Sequence, residues 1–424
     1  MWRIEMTSLW YYISVLPVAT FSAVVFYASI VLLLVLPGLR RWASTNLVMP
    51  APASNQRYLA PLDALRGFAA LWIALGHTLQ FPQPVFDASK SVLPFIAIAN
   101  NAVPIFCMLS GFLIYRSVVR ITAGEDLRKY LISRIFRIFP AYVTTVIACI
   151  AIGQLPLDLP RVLNDVFMLR SFFGIGITNP PSWSLYVEVL FYGLMPCVVA
   201  VAGRRMTVFC ICAVIILLIG DTGGTRELAL WKYFFLGALM SIAVTSLRAK
   251  LETVSPSMRQ KIPLAIFCLG VLIACLMLFV YSISLASLLG IDAYRSVIYA
   301  IGLGLGSTFL IVGAICSPPL VHLFGIAPLR YLGAISYGLY LWHPIFIWLN
   351  FPQMQFDQAG VPQAFAAQYS AMPFWYMPLV FMPGELVLAT LSFILVERPF
   401  LLMRPKFNQR PAQELSVKPS GAAL

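Results

Sequence analysis

Long apolar runs, separated by short polar segments, fill most of this 424-residue chain. A helix needs about 20 consecutive apolar residues to cross the hydrocarbon core of a bilayer, and most runs have about this length. They lie near residues 12–38, 62–80, 93–117, 131–153, 183–203, 206–220, 228–247, 262–285, 296–316, 331–350 and 374–396. The pattern predicts an all-α, polytopic transmembrane helix bundle, with about ten core spans and one extra span at the N-terminus.

The composition excludes an ordinary soluble protein, because 60% of the residues are hydrophobic and only 11% are charged. The net charge of +13 raises the question of a nucleic-acid partner. We expect none, because the basic residues fall between the apolar runs, as they do in cytoplasmic loops. The eight cysteines lie in or at the ends of apolar runs, which indicates small buried side chains rather than disulfides or a metal site.

The positions of lysine and arginine predict how the chain is oriented. With a cytoplasmic C-terminus and an outer N-terminus, most of the 29 basic residues fall in inner segments. The first run lacks the cleavage pattern of a signal peptide, so we expect it to be retained as a span. Residues 1–57 then form an extra N-terminal helix and linker, residues 58–404 the transmembrane domain, and residues 405–424 a disordered cytoplasmic tail.

The run at residues 62–80 contains three ionisable side chains, Asp63, Arg66 and His77. Such residues are costly at membrane depth and normally face a bundle interior or a wet cavity. Eleven positions separate Arg66 from His77, almost three helical turns, so the two share one face about 16 Å apart. Asp63 precedes Arg66 by one turn on that face. His77 suits proton transfer near neutral pH, and the alternative is a hydrogen-bonded core histidine that bridges helices.

Two arginines, Arg134 and Arg137, lie one turn apart at the inner mouth of another run. Guanidinium groups bind phosphate through paired hydrogen bonds, so this pair suits a phosphorylated donor that enters from the cytoplasm. Anchoring to anionic lipid is the alternative, and we prefer it for the neighbouring Arg128 and Lys129.

Two more runs contain polar faces. Glu188 is flanked at i−4 and i+4 by Ser184 and Tyr192, and a buried carboxylate needs a partner, so a structural ion pair competes with a catalytic or sugar-binding role. His343 shares a helical face with Ser336 and Tyr340.

The chain has only three histidines. The first and last, His77 and His343, are predicted at similar depth in the outer half of the membrane, which favours one site. The third, His322, falls in a predicted inner loop and is expected to be solvated.

Six segments occur in an order that resembles the acyltransferase-3 family, membrane O-acyltransferases of bacterial surface glycans and lipids. The similarity covers about residues 58 to 400. The segments are an Arg-x10-His signature (66–77), F-x-x-x-SGFLI (106–114), R-x-x-R-I-x-P (134–140), W-S-L-x-x-E (183–188), S-Y-x-x-Y-L-x-H (336–343) and E-x-P (397–399).

The resemblance implies that acyl-CoA is the donor, that it enters from the cytoplasm, and that an acceptor hydroxyl is met at the outer side. By this resemblance His77 is the essential imidazole, which deprotonates the acceptor or carries the acyl group. The other assigned residues follow their motif positions. They are Arg66, Asp63, Glu188 and His343 for catalysis, and Arg134, Arg137, Ser110 and Tyr337 for the donor. No metal is expected.

The expected function is therefore transfer of an acyl group, expected to be acetyl, from acyl-CoA to a hydroxyl of an extracytoplasmic glycan or glycolipid. We expect an integral protein of the bacterial inner membrane, in contact with lipid and with a polysaccharide-synthesis complex. No soluble hydrolase-like domain follows, so transfer is expected to finish within the membrane part. Loops 81–92, 154–181 and 351–373 are expected to shape the acceptor site.

Two other classes remain open from the residues alone. A proton-coupled transporter or flippase of a glycan-lipid would use His77, Glu188 and His343 as a proton relay. A non-catalytic membrane scaffold is the third reading. Binding of CoA separates the acyltransferase from both.

Overall fold

The computed structural model describes residues 17–48, 60–80, 93–121, 124–152, 159–168, 179, 181–219, 226–281, 295–350 and 377–405. Every regular element in these ranges is helical. The predicted N-terminal linker is described only to residue 48, and the predicted tail only at residue 405. Of the three predicted outer loops, only parts of 154–181 belong to the described residues.

The helices are α1 Pro17–Val35, α2 Pro37–Asn46, α3 Ala60–Gln80, α4 Leu93–Val118, α5 Gly124–Ala151, α6 Leu159–Val166, α7 Ser182–Ala202, α8 Met206–Ile219, α9 Arg226–Thr253, α10 Pro256–Tyr281, α11 Arg295–Cys316, α12 Pro318–Phe324, α13 Ala327–Asn350, α14 Met382–Ser392 and α15 Arg398–Leu402. A 3-10 turn, Gly203–Arg205, joins α7 to α8, and π-helical segments, Met377–Phe381 and Phe393–Glu397, flank α14.

Among the described residues, seven helical stretches are long and apolar enough to cross a membrane. They are Gly124–Ala151, Ser182–Ile219, Leu228–Thr253, Pro256–Met277, Ile298–Cys316, Ala327–Asn350 and Pro378–Leu402. The prediction of an all-α polytopic bundle is confirmed.

The number of spans differs from the predicted eleven for identifiable reasons. The runs at 183–203 and 206–220 form one continuous helical stretch of 38 residues. Helices α1 and α2 have the length and apolarity of a span only when taken together, and the pair is bent by 111°, as in a broken span or a re-entrant segment. In α4 only Ala102–Val118 has described side chains, and this apolar segment is by itself too short to count as a span. Helix α3 has the length but is not among the seven, and it contains Asp63, Arg66 and His77.

Close helix crossings bring the predicted functional segments together. Helix α3 packs against α13 and α4, and α4 packs against α9. A Cβ atom added at Gly67 would lie 2.7 Å from the backbone nitrogen of Gly333, and Gly111 and Gly237 make an equally close contact between α4 and α9. Small residues let membrane helices approach at backbone distance. These crossings place Arg66 and Ser110, the neighbours of two of these glycines, at the interior of the bundle.

The first helix is packed onto the rest of the bundle. Helix α1 contacts α14 and the π-helical segment before it. The Ala19 amide donates a hydrogen bond to Asn350 Oδ1 at 3.1 Å, and the Tyr27 hydroxyl donates to the Leu379 carbonyl at 2.8 Å. The extra helix therefore packs beside the C-terminal end of α13.

Candidate active site

The structure brings His77 of α3 and His343 of α13 into direct contact. His77 Nδ1 lies 2.8 Å from His343 Nε2, and the rings are stacked with centroids 5.0 Å apart. His343 is fully buried, whereas His77 is partly exposed. The contact follows from the crossing of α3 and α13, because both residues lie near the ends of their helices that face the same side.

The hydrogen bonds define which ring nitrogen holds a proton. His343 Nδ1 lies 3.1 Å from the Leu339 carbonyl oxygen, which can only accept, so Nδ1 is the protonated nitrogen of the neutral ring. His343 Nε2 is then an acceptor, and His77 Nδ1–H donates to it. This arrangement leaves the lone pair of His77 on Nε2, where a general base or a nucleophile needs it.

A cavity of about 270 Å³ runs between α3, α4, α5, α7, α9 and α13. On α13 it extends from Arg330 to Tyr340, which corresponds to roughly 15 Å of helix. It ends one helical turn before His343, and neither His77 nor His343 lines it. The cavity therefore extends toward the histidine pair and ends at Tyr340, without reaching either histidine.

Positive charge dominates this cavity. Five arginines and two carboxylates are among the described residues that line it, a formal excess of three positive charges: Arg66, Arg134, Arg137, Arg330 and Arg404 against Asp63 and Glu188. Like charges gathered in a poorly hydrated space repel each other, so this arrangement favours an anionic ligand.

Aromatic rings hold Arg134. Its guanidinium lies 5.1 Å from the ring centroids of both Tyr130 and Tyr192, and its Nη2 donates to Ser117 Oγ at 2.8 Å. Its Nε is buried without a hydrogen-bond partner. Stacking orients a guanidinium while leaving N–H groups for an anion.

Arg137 has a similar environment. Its guanidinium lies 5.9 Å from the ring of Tyr337, whose hydroxyl donates to the Ile138 carbonyl at 2.8 Å. Tyr337, predicted to contact the donor, lines the cavity and also orients Arg137.

Arg66 forms an ion pair with Asp63 at 3.5 Å, one turn earlier on α3. Both line the cavity, with 16% of the Arg66 side chain and 29% of the Asp63 side chain exposed. The structure therefore places this pair at the arginine-rich end, far along α3 from His77.

Sequence reasoning missed Arg330 and Arg404 as site residues, because both read as ordinary cationic residues of inner loops. Arg404 follows α15, and burial together with Arg137 and Arg134 lowers its pKa to about 10. It remains positively charged at neutral pH and adds to the anion-binding character of the cavity.

Hydrogen bonds, rather than a close ion pair, hold the Glu188 carboxylate. Ser110 Oγ donates to Glu188 Oε1 at 2.6 Å, and the Tyr192 hydroxyl donates to the same oxygen at 2.5 Å. Ser110, which was predicted to contact the donor, lines the cavity. Its hydroxyl group already donates its hydrogen bond to Glu188. Ser184, the other predicted neighbour of Glu188, bonds to Tyr340 instead.

Tyr340 separates the cavity from the histidine pair. Its ring lies 6.2 Å from that of His343 and 5.8 Å from that of Phe106. Its hydroxyl donates to the Pro181 carbonyl at 2.9 Å and lies 2.6 Å from Ser184 Oγ. Tyr340 thus forms the end wall of the cavity, one turn from His343.

A third residue that sequence reasoning missed is Glu385 of α14. It is fully buried, and its Oε1 lies 2.8 Å from Oγ1 of Thr78, the residue after His77. The available signal was a carboxylate inside an apolar run. The predicted solvation of His322 agrees with its exposed side chain, although the residue lies in helix α12 rather than in a loop.

Residues 59–397 match the Acyltransferase domain of the acyltransferase-3 family. The chain is also 25% identical over 389 residues to YrhL of Bacillus subtilis (strain 168), which is described as a candidate peptidoglycan O-acetyltransferase. That match covers 81% of this chain but only 55% of the relative's length. No solved structure gives a significant match.

Proposed function

Because the chain belongs to the acyltransferase-3 family, we propose that it transfers an acyl group, expected to be acetyl, from acyl-CoA to a glycan hydroxyl. The family makes the chain an acyltransferase, and its apolar helices make it an integral membrane protein. The donor, the acceptor and the orientation in the bacterial inner membrane belong to the proposal.

One observation supports acyl-CoA as the donor above all others: the arginine-rich cavity ends one turn from the histidine pair. CoA has a diphosphate and a ribose phosphate at one end of a long, uncharged pantetheine arm and the thioester at the other. The excess positive charge suits the phosphates, and the part of the cavity that continues along α13 to Tyr340 suits the arm. In this arrangement the thioester lies beside Tyr340 and faces His77.

His77 acts as the general base in this mechanism. Its Nε2 accepts the proton of the acceptor hydroxyl, and the oxygen attacks the thioester carbonyl carbon. The carbon–sulfur bond breaks, the new ester forms, and the leaving CoA thiolate receives the proton from His77 Nε2. His343 keeps His77 in the required tautomer, as the orienting acid does in a serine hydrolase triad.

The acceptor is proposed as a hydroxyl of a cell-surface glycan. The name of the Bacillus subtilis relative points to peptidoglycan. The arginine-rich end would face the cytoplasm, where acyl-CoA is made, together with the C-terminus. The histidine pair would then lie toward the outer surface.

A transporter or flippase accounts less well for the geometry. It assigns no role to five cavity arginines, and it needs Glu188 as a proton carrier, although Ser110 and Tyr192 already donate to that carboxylate.

Incubation of the purified protein with deuterium-labelled acetyl-CoA and solubilised peptidoglycan fragments tests the proposal. We expect equal amounts of free CoA and of labelled ester in the glycan, detected by mass spectrometry. Absence of both products, with the folded protein confirmed by size-exclusion chromatography, would contradict it. A matched incubation with deuterium-labelled free acetate in place of acetyl-CoA controls for labelling that does not use the thioester.

A further inference from the structure

Three side chains at the end of the bundle that contains the histidine pair have buried polar atoms without hydrogen-bond partners. They are both amide atoms of Asn164, which is 2% exposed, Oδ1 of Asn179, which is fully buried, and Nε1 of Trp342. Buried polar atoms are nearly always paired, so a group of them indicates a place where a ligand or ordered water supplies the missing bonds.

Asn179 lies next to the catalytic pair. Its Nδ2 donates to the Leu341 carbonyl at 3.0 Å, two residues before His343 in α13. Its own backbone carbonyl accepts hydrogen bonds from Ser182 Oγ at 2.7 Å and from the Ser182 amide at 2.9 Å. The amide is therefore held in place, and its unpaired Oδ1 remains available.

Asn164 and Trp342 approach the same end of the bundle. Asn164 lies in α6, which packs on α5, and the adjacent Asp165 interacts with Cys149 of α5. Cys149 in turn packs in a cluster with Trp342 and Trp348. This end lies far from the donor arginines, because Cys149 follows Arg137 by twelve residues, roughly 18 Å of helix.

The chemistry of these groups fits a sugar. The Asn164 amide offers a donor and an acceptor, Asn179 offers the acceptor Oδ1, and the indole of Trp342 offers an N–H donor beside a flat apolar face. Among their available atoms none has a formal charge, which matches an uncharged polyhydroxyl ligand better than a phosphate. Their position beside His343 is where an acceptor hydroxyl must arrive.

We propose that Asn164, Asn179 and Trp342 form a saccharide subsite that holds the acceptor hydroxyl toward His77. This inference rests on the proposed function and adds to it the location of the acceptor and the residues that bind it. The three residues are positioning residues, since the reacting atoms are contacted by His77 alone.

Steady-state kinetics of the full-length protein with acetyl-CoA and the N-acetylglucosamine trimer test the subsite. Trp342→Phe removes the N–H and keeps an aromatic ring, and Asn164→Leu removes both amide atoms at similar volume. We expect each to raise the KM for the trimer at least fivefold. The KM for acetyl-CoA and the slow hydrolysis of acetyl-CoA without the trimer should not change.

Matched substitutions on the exposed helix α2, Trp42→Phe and Asn46→Leu, should leave all three quantities unchanged. An unchanged KM for the trimer in both test variants would overturn the subsite and would assign the unpaired atoms to bound water. The proposed function would still stand. A wild-type protein that hydrolyses acetyl-CoA but never acetylates the trimer would overturn the saccharide assignment. A wild-type protein without any acetyl-CoA turnover would overturn the proposed function itself.

Discussion

His343 Nε2 accepts a hydrogen bond from His77 Nδ1 at 2.8 Å, and His343 Nδ1 donates to the Leu339 carbonyl. This chain of two bonds leaves one free lone pair, at His77 Nε2. Two imidazoles of the same chemistry therefore receive different roles, because one is fully buried against a helix carbonyl and the other is partly exposed.

Replacing His343 tests its positioning role. His343→Ala removes the acceptor for His77 Nδ1, and we expect kcat to fall about a hundredfold, within the usual range for a disrupted acid–base system. The KM for acyl-CoA should stay within twofold, because the donor arginines are untouched. His343→Gln offers an amide oxygen as acceptor and should recover part of kcat, whereas equal losses in both variants would argue against positioning.

Binding of the donor should depend on the planar shape of the Arg134 guanidinium more than on its charge. Arg134→Lys retains the charge but loses the contacts with Tyr130 and Tyr192. Since hydrogen bonds to charged groups contribute about 1.5–3 kcal/mol, we expect a KM for acyl-CoA raised about tenfold or more. Arg128→Lys, at an exposed position on the same helix, is the control. A raised KM for the glycan alone would contradict this placement.

Arg404 should contribute to CoA binding although it lies beyond the last apolar helix. Arg404→Gln removes one positive charge from the cavity. We expect CoA to raise the thermal unfolding temperature of the wild type more than that of the variant, because stabilisation by a ligand follows its affinity. Arg205→Gln, exposed in the turn after α7, should respond to CoA like the wild type. Identical CoA responses in both variants would remove Arg404 from the donor site.

The close contact of α3 and α13 at Gly67 should contribute to the free energy of unfolding. Gly67→Ala places a methyl group 2.7 Å from the backbone of α13, so we expect the free energy of unfolding to fall by about 1–3 kcal/mol, as in overpacked interiors. Gly193→Ala, in α7 with no atom near its added methyl group, should be neutral or stabilising. Denaturant titration in detergent measures both. A neutral Gly67→Ala would show that α3 and α13 do not depend on this close approach.

The fold was predictable from sequence because apolar runs of bilayer length leave few alternatives to helices. The number of spans was less predictable from the sequence. The conformation of the turn at Gly203–Arg205 decides whether the two apolar runs on either side of it form separate spans. Helix α3 is less apolar because it contains Asp63, Arg66 and His77, the same ionisable residues that marked it as part of a candidate site.

The candidate site was predictable where residues cluster along one helix. The predicted orientation of the spans placed His77 and His343 at similar depth in the outer half of the membrane, and their contact required only that α3 and α13 pack together. Arg330 and Arg404 could not be distinguished from loop cations, because nothing local shows that they turn inward. The partners of Glu188 depend on α4, which only the three-dimensional packing brings close.

His77 is the residue on which the proposed acyl transfer depends most. The rate of CoA release by the purified protein measures its role. His77→Ala should lower the rate of CoA release from acetyl-CoA, with glycan acceptor present, by about a hundredfold or more. His322→Ala, at the exposed histidine of α12, should retain the wild-type rate. A His77→Ala protein that is folded and releases CoA at the wild-type rate would contradict the assignment of His77 as the catalytic base.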